Sequence, residues 1–303
     1  WVDGTAYAPT TFGSTDATTG QWKPKSDGEI RSAVTFGTNG FLLPFSDGSN
    51  LGYDYQTSGR STTNDYAKSG DGFKTQTNPS NNFSTGEIGY NPASGFTWDV
   101  GNTQVINTDS SWKSVYWNMS PSTGKWYWEG KLVAIGSGAI FGIADVGEIQ
   151  FEYGNNFPIG EGDYQYVYNA NGNKKSADTE TSYGSSYTTG DIIGCALDLD
   201  NGKIYFSKNG VWQDSGDPTS GATGTGSAFD VETSELALTG FNQYAPAVAC
   251  YGSGKWAINC GEGYFGTTAV SSSNADDAGL GLMEYDVPAG YYTLCTKNIK
   301  TYG

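Results

Sequence analysis

The chain has 303 residues, 32 acidic against 16 basic side chains for a net charge of −16, and no histidine. The lack of His removes Ser-His-Asp and Cys-His catalysis and every His-ligated metal site. The acidic surface repels phosphate backbones and anionic membranes, so neither a nucleic-acid partner nor membrane insertion is expected.

The 44 glycines, 15% aromatics and a background of Thr, Ser, Asn and Asp suit short strands joined by tight turns. Residues 1–40 lack a strong core pattern. Val2-Asp3-Gly4 and Phe12-Gly13 read as turn edges, and Gln21-Trp22-Lys23-Pro24-Lys25 ends a segment because proline restricts the residue before it. Residues 41–95 hold one apolar run, Phe41-Leu42-Leu43-Pro44-Phe45, and then a polar stretch in which Asn78-Pro79-Ser80-Asn81-Asn82 reads as loop. An extended arm and a connector are expected here, not an independent domain.

The texture changes at Phe96. Trp112–Tyr116 is strand-like, Lys125–Glu129 is an aromatic strand, and Lys131–Ile135 and Ala139–Ile143 follow as two more. Gly136-Ser137-Gly138 joins strand to strand with no helix after it, so it is not a phosphate-cradling loop. Tyr164, Tyr166 and Tyr168 alternate onto one face. So do Ile193, Cys195, Leu197 and Leu199, which points Cys195 into the core. Asn201-Gly202 and Asn209-Gly210 are hairpin turns flanking Lys203–Ser207, and Val211-Trp212 comes next. Tyr244–Tyr251 and Lys255–Cys260 close the series, with Trp256, Ile258 and Cys260 on one face. The pattern predicts an all-β, antiparallel two-sheet sandwich with Trp126, Trp128 and Trp256 in its core and almost no helix.

The four cysteines form no CxxC pair, and sequence does not choose among their three pairings; most are expected to be small buried hydrophobes. Asp198 and Asp200 are explained by turn chemistry. Glu148, Glu152, Glu161 and Asp163 lack the spacing of a calcium loop, and no acid pair stands out for glycoside hydrolysis. A non-enzyme without cofactor or metal is therefore expected. The candidate ligand-binding residues are Tyr183, Tyr187 and Trp212, beside long polar loops, because rings supply contact area at low entropic cost. Partner contacts are expected on the loops 145–163, 169–190 and 213–243, the longest polar insertions between strands.

Four segments together resemble the SPRY domain. Gly124-Lys125-Trp126-Tyr127-Trp128-Glu129 resembles its opening strand, and Gly190 to Asp198 its central strand. Gly202 to Gly210 resembles the following hairpin. Tyr244-Ala245-Pro246-Ala247-Val248 with Asn259-Cys260-Gly261 resembles the closing pair, Cys260 standing where the family usually has Phe. The resemblance implies a concanavalin-like jelly roll over 96–266 that binds rather than catalyses.

The flanks resemble something narrower. Val2-Asp3-Gly4, Phe12-Gly13 and Trp22-Lys23-Pro24-Lys25 resemble the end of a lectin-like domain in virion proteins of marine tailed phages. Thr38-Asn39-Gly40-Phe41 with Asn81-Asn82-Phe83 resembles their connector, and Pro288-Ala289-Gly290-Tyr291 onward the segment after their SPRY domain. This implies the end of a preceding domain or an arm over 1–40, a connector over 41–95 and a C-terminal connector over 267–303. It further implies a virion fibre, spike or surface decoration, located in the particle. Its partners would be other virion proteins, its own subunits or a host surface glycan. An intracellular SPRY adaptor for short peptides and a polysaccharide-degrading enzyme are the alternatives. The start at Trp1 and the linker-like end suggest a piece of a longer polypeptide.

Overall fold

The structure, a computed structural model, describes residues 1–18, 20–45, 52–56, 66, 77–78, 80–87, 95–151, 158–234 and 242–303. The chain divides into two compact units, Trp1–Lys74 and Thr75–Gly303.

Residues 1–40, expected to be an arm or the end of a preceding domain, carry short regular elements of the first unit. They are α1 (Pro9–Phe12), the hairpin of β1 (Gly13–Thr15) and β2 (Trp22–Pro24), and α2 (Asp27–Ala33). Ser26 starts α2 through a capping box with Glu29, each side chain binding the other residue's backbone N–H. Lys25 donates to the Thr10 carbonyl, and the Asp3 amide donates to the Phe36 carbonyl. Only Val34 and Phe36 are buried hydrophobics in this unit's described residues, too sparse a pattern for sequence periodicity to reveal.

The second unit is the antiparallel sandwich. Its first strands are β3 (Phe96–Asp99), β4 (Gln104–Asn107), β5 (Trp112–Tyr116), β6 (Lys125–Ala134) and β7 (Gly138–Asp145), followed by α3 (Val146–Phe151). Then come β8 (Gln165–Asn169), β9 (Asn173–Ser176), β10 (Thr179–Ser182), β11 (Ile192–Asp198), β12 (Lys203–Lys208), β13 (Val211–Trp212) and β14 (Phe229–Asp230). The last are β15 (Tyr244–Tyr251), β16 (Lys255–Asn259), β17 (Tyr264–Phe265), β18 (Thr268–Ala269), β19 (Tyr292–Thr293) and α4 (Thr296–Tyr302).

The smaller sheet has six strands in the order β10-β9-β8-β7-β15-β5. The larger runs β13-β12-β11-β6-β16-β4-β3, with β14 added on β12 and β19 parallel to β6. Side chains alternate as the sequence predicts. Trp126, Trp128, Cys195, Leu197, Trp256 and Ile258 from one sheet meet Phe141, Ile143, Tyr166, Tyr168 and Val248 from the other in a single core. All four cysteines are buried and free. Sequence places a break at Gly130, but β6 runs straight through it. A Cβ there would lie 2.4 Å from the Phe141 ring, so glycine lets the facing sheet approach.

Residues 75–95, the end of the first segment expected as a connector, and 267–303, the second, fall in this unit. Phe83 is buried and bridges to Cys295, and its ring lies 2.2 Å from where a Cβ on Gly261 would sit. It thus supplies an aromatic ring beside Cys260, where the family usually carries Phe. Residues 264–295 lie on the outer face of the larger sheet, burying Phe265, Met283 and Tyr291. This cover has little regular structure and is held by side-chain hubs. Asp276 accepts from the amides of Ala278, Leu280 and Thr293, the Thr293 hydroxyl and the Asn298 amide group. Its apolar residues fall in short runs such as Leu282-Met283 and Tyr291-Tyr292, too brief to set a strand period, which is why the stretch reads as linker.

Candidate functional site

The hairpin at 208–213 forms the rim of the larger sheet. Lys208 pairs with Val211 and Ser207 with Trp212 across Asn209-Gly210, both at positive φ as a tight two-residue turn needs. The turn is fixed from below. The Ile192 amide donates to Asn209 Oδ1 at 2.8 Å, Asn209 Nδ2 donates to Asp191 at 2.7 Å, and Lys208 Nζ lies 3.2 Å from Asp191. Buried Gln213 donates to the Val211 carbonyl and accepts from the Ser185 amide.

On this rigid frame Val211 is 67% exposed. Trp212 beside it is half-buried, edge-on to Tyr127 at 6.3 Å. The hairpin backs onto Tyr285, whose ring lies 2.5 Å from where a Gly210 Cβ would be. Trp212 and Tyr285 lie on the outer face of the sheet, whereas Val211, paired with Lys208, points to the opposite face, so the hairpin presents Val211 on one side and Trp212 on the other. A fixed backbone carrying exposed apolar side chains gives up little entropy on binding.

Beneath lies a buried carboxylate. Glu129, on the outward side of β6, accepts from the amides of Glu284 and Tyr285 at 2.8 Å each and from the Tyr127 hydroxyl at 2.9 Å. These bonds hold the cover at the point where Tyr285 meets the hairpin. Burial outweighs the three donors and pushes the Glu129 carboxyl up to about 7.

Of the three predicted ligand-binding residues, only Trp212 lies on this hairpin. Tyr183 is 8% exposed and Tyr187 2%, so both are core residues and not loop anchors. Their rings pack on Tyr168 at 5.6 and 5.1 Å. The Tyr187 hydroxyl donates to the Tyr168 carbonyl at 2.7 Å, and that of Tyr183 accepts from the Phe206 amide at 3.3 Å. A tyrosine in a polar loop turns inward when the core offers its hydroxyl a backbone partner.

The acidic loop residues serve structure as well. Glu148 accepts from the Tyr164 amide, and Glu161 lies 3.7 Å from Lys175; Glu152 falls outside the described residues, as do 152–157 and 235–241 of the predicted contact loops. Asp198 is buried against Lys125 at 2.8 Å and caps the Asn201 turn, while Asp200 accepts from the Gly124 amide. Sequence reasoning missed Val211 and Tyr285. Val211 was legible as an apolar residue directly after an Asn-Gly turn, whereas nothing near Tyr285 marks its place.

The family description "SPRY domain" matches residues 125–235, which span this hairpin and the central strands. The chain carries a SPRY domain. Each relative matches only a short stretch of the chain. The E3 ubiquitin-protein ligase RKP of Arabidopsis thaliana is 38% identical over 18% of this chain and 4% of its own length. The Ran-binding proteins 9/10 homolog of Drosophila melanogaster is 34% identical over 30% of this chain and 9% of its own. The dual specificity protein kinase splA of Dictyostelium discoideum is 33% identical over 23% and 3%. The chain thus matches less than a tenth of the length of each. Among solved structures, the SPRY domain of human HERC1 is 21% identical with a TM-score of 0.40, over 54% of this chain and 93% of that one.

Proposed function

We propose that this chain is a non-catalytic binding module of a virion appendage, a fibre, spike or surface decoration. Its SPRY domain presents the exposed Val211 of the 208–213 hairpin to a neighbouring virion protein or to the host cell. The observation that carries the reading is Val211, two-thirds exposed on a hairpin whose polar groups are satisfied from below. Protein recognition is supported by the SPRY match and by one relative's being named for binding Ran. The virion setting is supported by the flanking segments that resemble marine tailed-phage proteins. A non-catalytic role is supported by the absence of histidine and by acidic residues engaged in turns and ion pairs.

Val211→Asp places a charge at the exposed hairpin tip without touching the core. Adsorption of particles to host cells, or incorporation of the chain into particles, is expected to weaken about tenfold or more, with an unchanged Tm. Wild-type adsorption and incorporation by this variant would exclude the hairpin as the contact.

A further inference from the structure

We infer that the SPRY sandwich has a second binding site, a cleft of ≈ 530 Å³ on the outer face of the smaller sheet, which takes an uncharged saccharide. It is a different surface from the Val211 hairpin and deepens the proposed recognition role by giving it a ligand class. The volume lies within the range of small-ligand sites, ~300–1,000 Å³.

One wall is apolar. Trp112 lies against the backbone of Gly138, so closely that a Cβ there would be 2.7 Å from the indole. Tyr251 holds the ring edge-on at 5.6 Å, and Ile140 and Pro158 extend the surface. A fixed indole is suited to the C–H face of a pyranose ring, which needs flat apolar area.

The opposite wall is a carboxylate wrapped in amides. Glu180 accepts from Asn171 Nδ2 at 2.6 Å and from Asn173 Nδ2 at 2.7 Å, both on Oε1. These amides hold its carboxyl below the usual range, so it is ionised at neutral pH. Asn169, on the register partner of Ile140, is 9% exposed, and its buried Oδ1 has no hydrogen-bond partner. Such an orphan amide oxygen is costly, and a small rotation of the side chain toward a donor in the cleft would satisfy it.

The charge pattern selects the ligand. Lys175, the cleft's cation, is already paired with Asp178 at 2.8 Å and Glu161 at 3.7 Å. The wall left to a ligand is acidic, on a chain of net charge −16. An acidic polysaccharide is repelled there. A lysine side chain could use the carboxylate, but it has no acceptor to offer the asparagine amide donors. A sugar hydroxyl both donates and accepts, matching asparagine amides and carboxylate together.

The test uses the whole chain, with tryptophan fluorescence and saturation-transfer NMR as readouts. Maltotriose and N,N′-diacetylchitobiose are the neutral probes, oligogalacturonate the acidic one and a lysine-rich peptide the cationic one. At least one neutral saccharide is expected to bind and oligogalacturonate not. Trp112→Ala and Glu180→Gln are each expected to weaken binding by about tenfold or more. Glu180 is exposed, so its variant keeps the test valid if Trp112→Ala fails to fold. Val211→Asp should leave saccharide binding intact, which separates this site from the hairpin. Failure of both neutral saccharides, equal binding of oligogalacturonate, unaltered binding by Glu180→Gln, or peptide binding in place of saccharide would each overturn the inference.

Discussion

The two sheets of the sandwich share one core but finish their outer faces differently. The larger sheet turns Tyr127, Glu129, Ala196, Tyr205 and Ala257 outward, and residues 264–295, with Gly216 and Ser220 against Tyr205, bury them. The smaller sheet turns Ile140, Ala144, Val167, Ala245, Ala247 and Ala249 outward. Among the described residues, Ile159 and the partly buried Val146 and Trp112 pack there, and a cleft stays open at one end. The difference follows from side-chain chemistry. A face carrying a carboxylate and phenol hydroxyls can be buried only by a cover that brings hydrogen-bond partners. The other face is mainly alanines and branched aliphatics, with few buried polar groups such as Gln165, so it needs fewer such partners, and a cleft lined by Trp112, Asn171 and Glu180 lies beside it.

The largest expected effect tests whether the cover is held by polar bonds rather than by area alone. Glu129→Ala strips acceptors from two backbone amides and a hydroxyl that remain out of water. Unfolding free energy is expected to fall by about 3–5 kcal/mol, with faster hydrogen exchange at the Glu284 and Tyr285 amides than elsewhere in the sandwich. A loss under 1 kcal/mol would mean that Met283 and Tyr291 alone pin the cover.

A second effect sharpens the same contrast through pH. Burial pushes Glu262, with one oxygen accepting from the Cys260 amide and the other unpartnered, up to about 7, as it does Glu129. The folded state therefore holds these protons more tightly than the unfolded chain, whose carboxyls titrate near 4.5. Their contribution is fully present below that value and is lost as pH rises through 7. For Glu262 the loss between pH 5 and 8 is expected to be roughly 2–3 kcal/mol. Glu262→Gln should flatten that part of the stability curve and raise the Tm at pH 8. An unchanged pH profile would show that Glu262 reaches water.

These contrasts also mark what was legible in the sequence. Both Asn-Gly turns, the inward register of Cys195 and the core tryptophans were readable, because each rests on local chemistry or a two-residue period. The cover was not, since Met283 and Tyr291 sit in apolar runs too short to show a period and their partners lie far away in sequence. Tyr183 and Tyr187 misled for a related reason. Their polar neighbours describe the loop, while their burial is decided by Tyr168 and Phe206 on other strands. The cleft was beyond reach, because Trp112, Ile140, Asn169 and Glu180 come from four strands whose register no sequence window contains.

The smallest effect concerns the open face. Lys175 sits between Asp178, whose side chain is 75% exposed, and Glu161. If ion pairs secured this face as hydrogen bonds secure the other, removing the cation would be costly. Lys175 itself is only 13% exposed, but its nearer partner Asp178 stands in water, which screens the pair toward the ~0–1 kcal/mol of surface pairs. Lys175→Met keeps most of the aliphatic stem against the sheet and deletes only the charge. Its unfolding free energy is expected to stay within about 1 kcal/mol of wild type, and to differ less still at high salt. A cost comparable to that of Glu129→Ala would show that both faces are fastened by buried polar bonds, and the contrast between them would collapse.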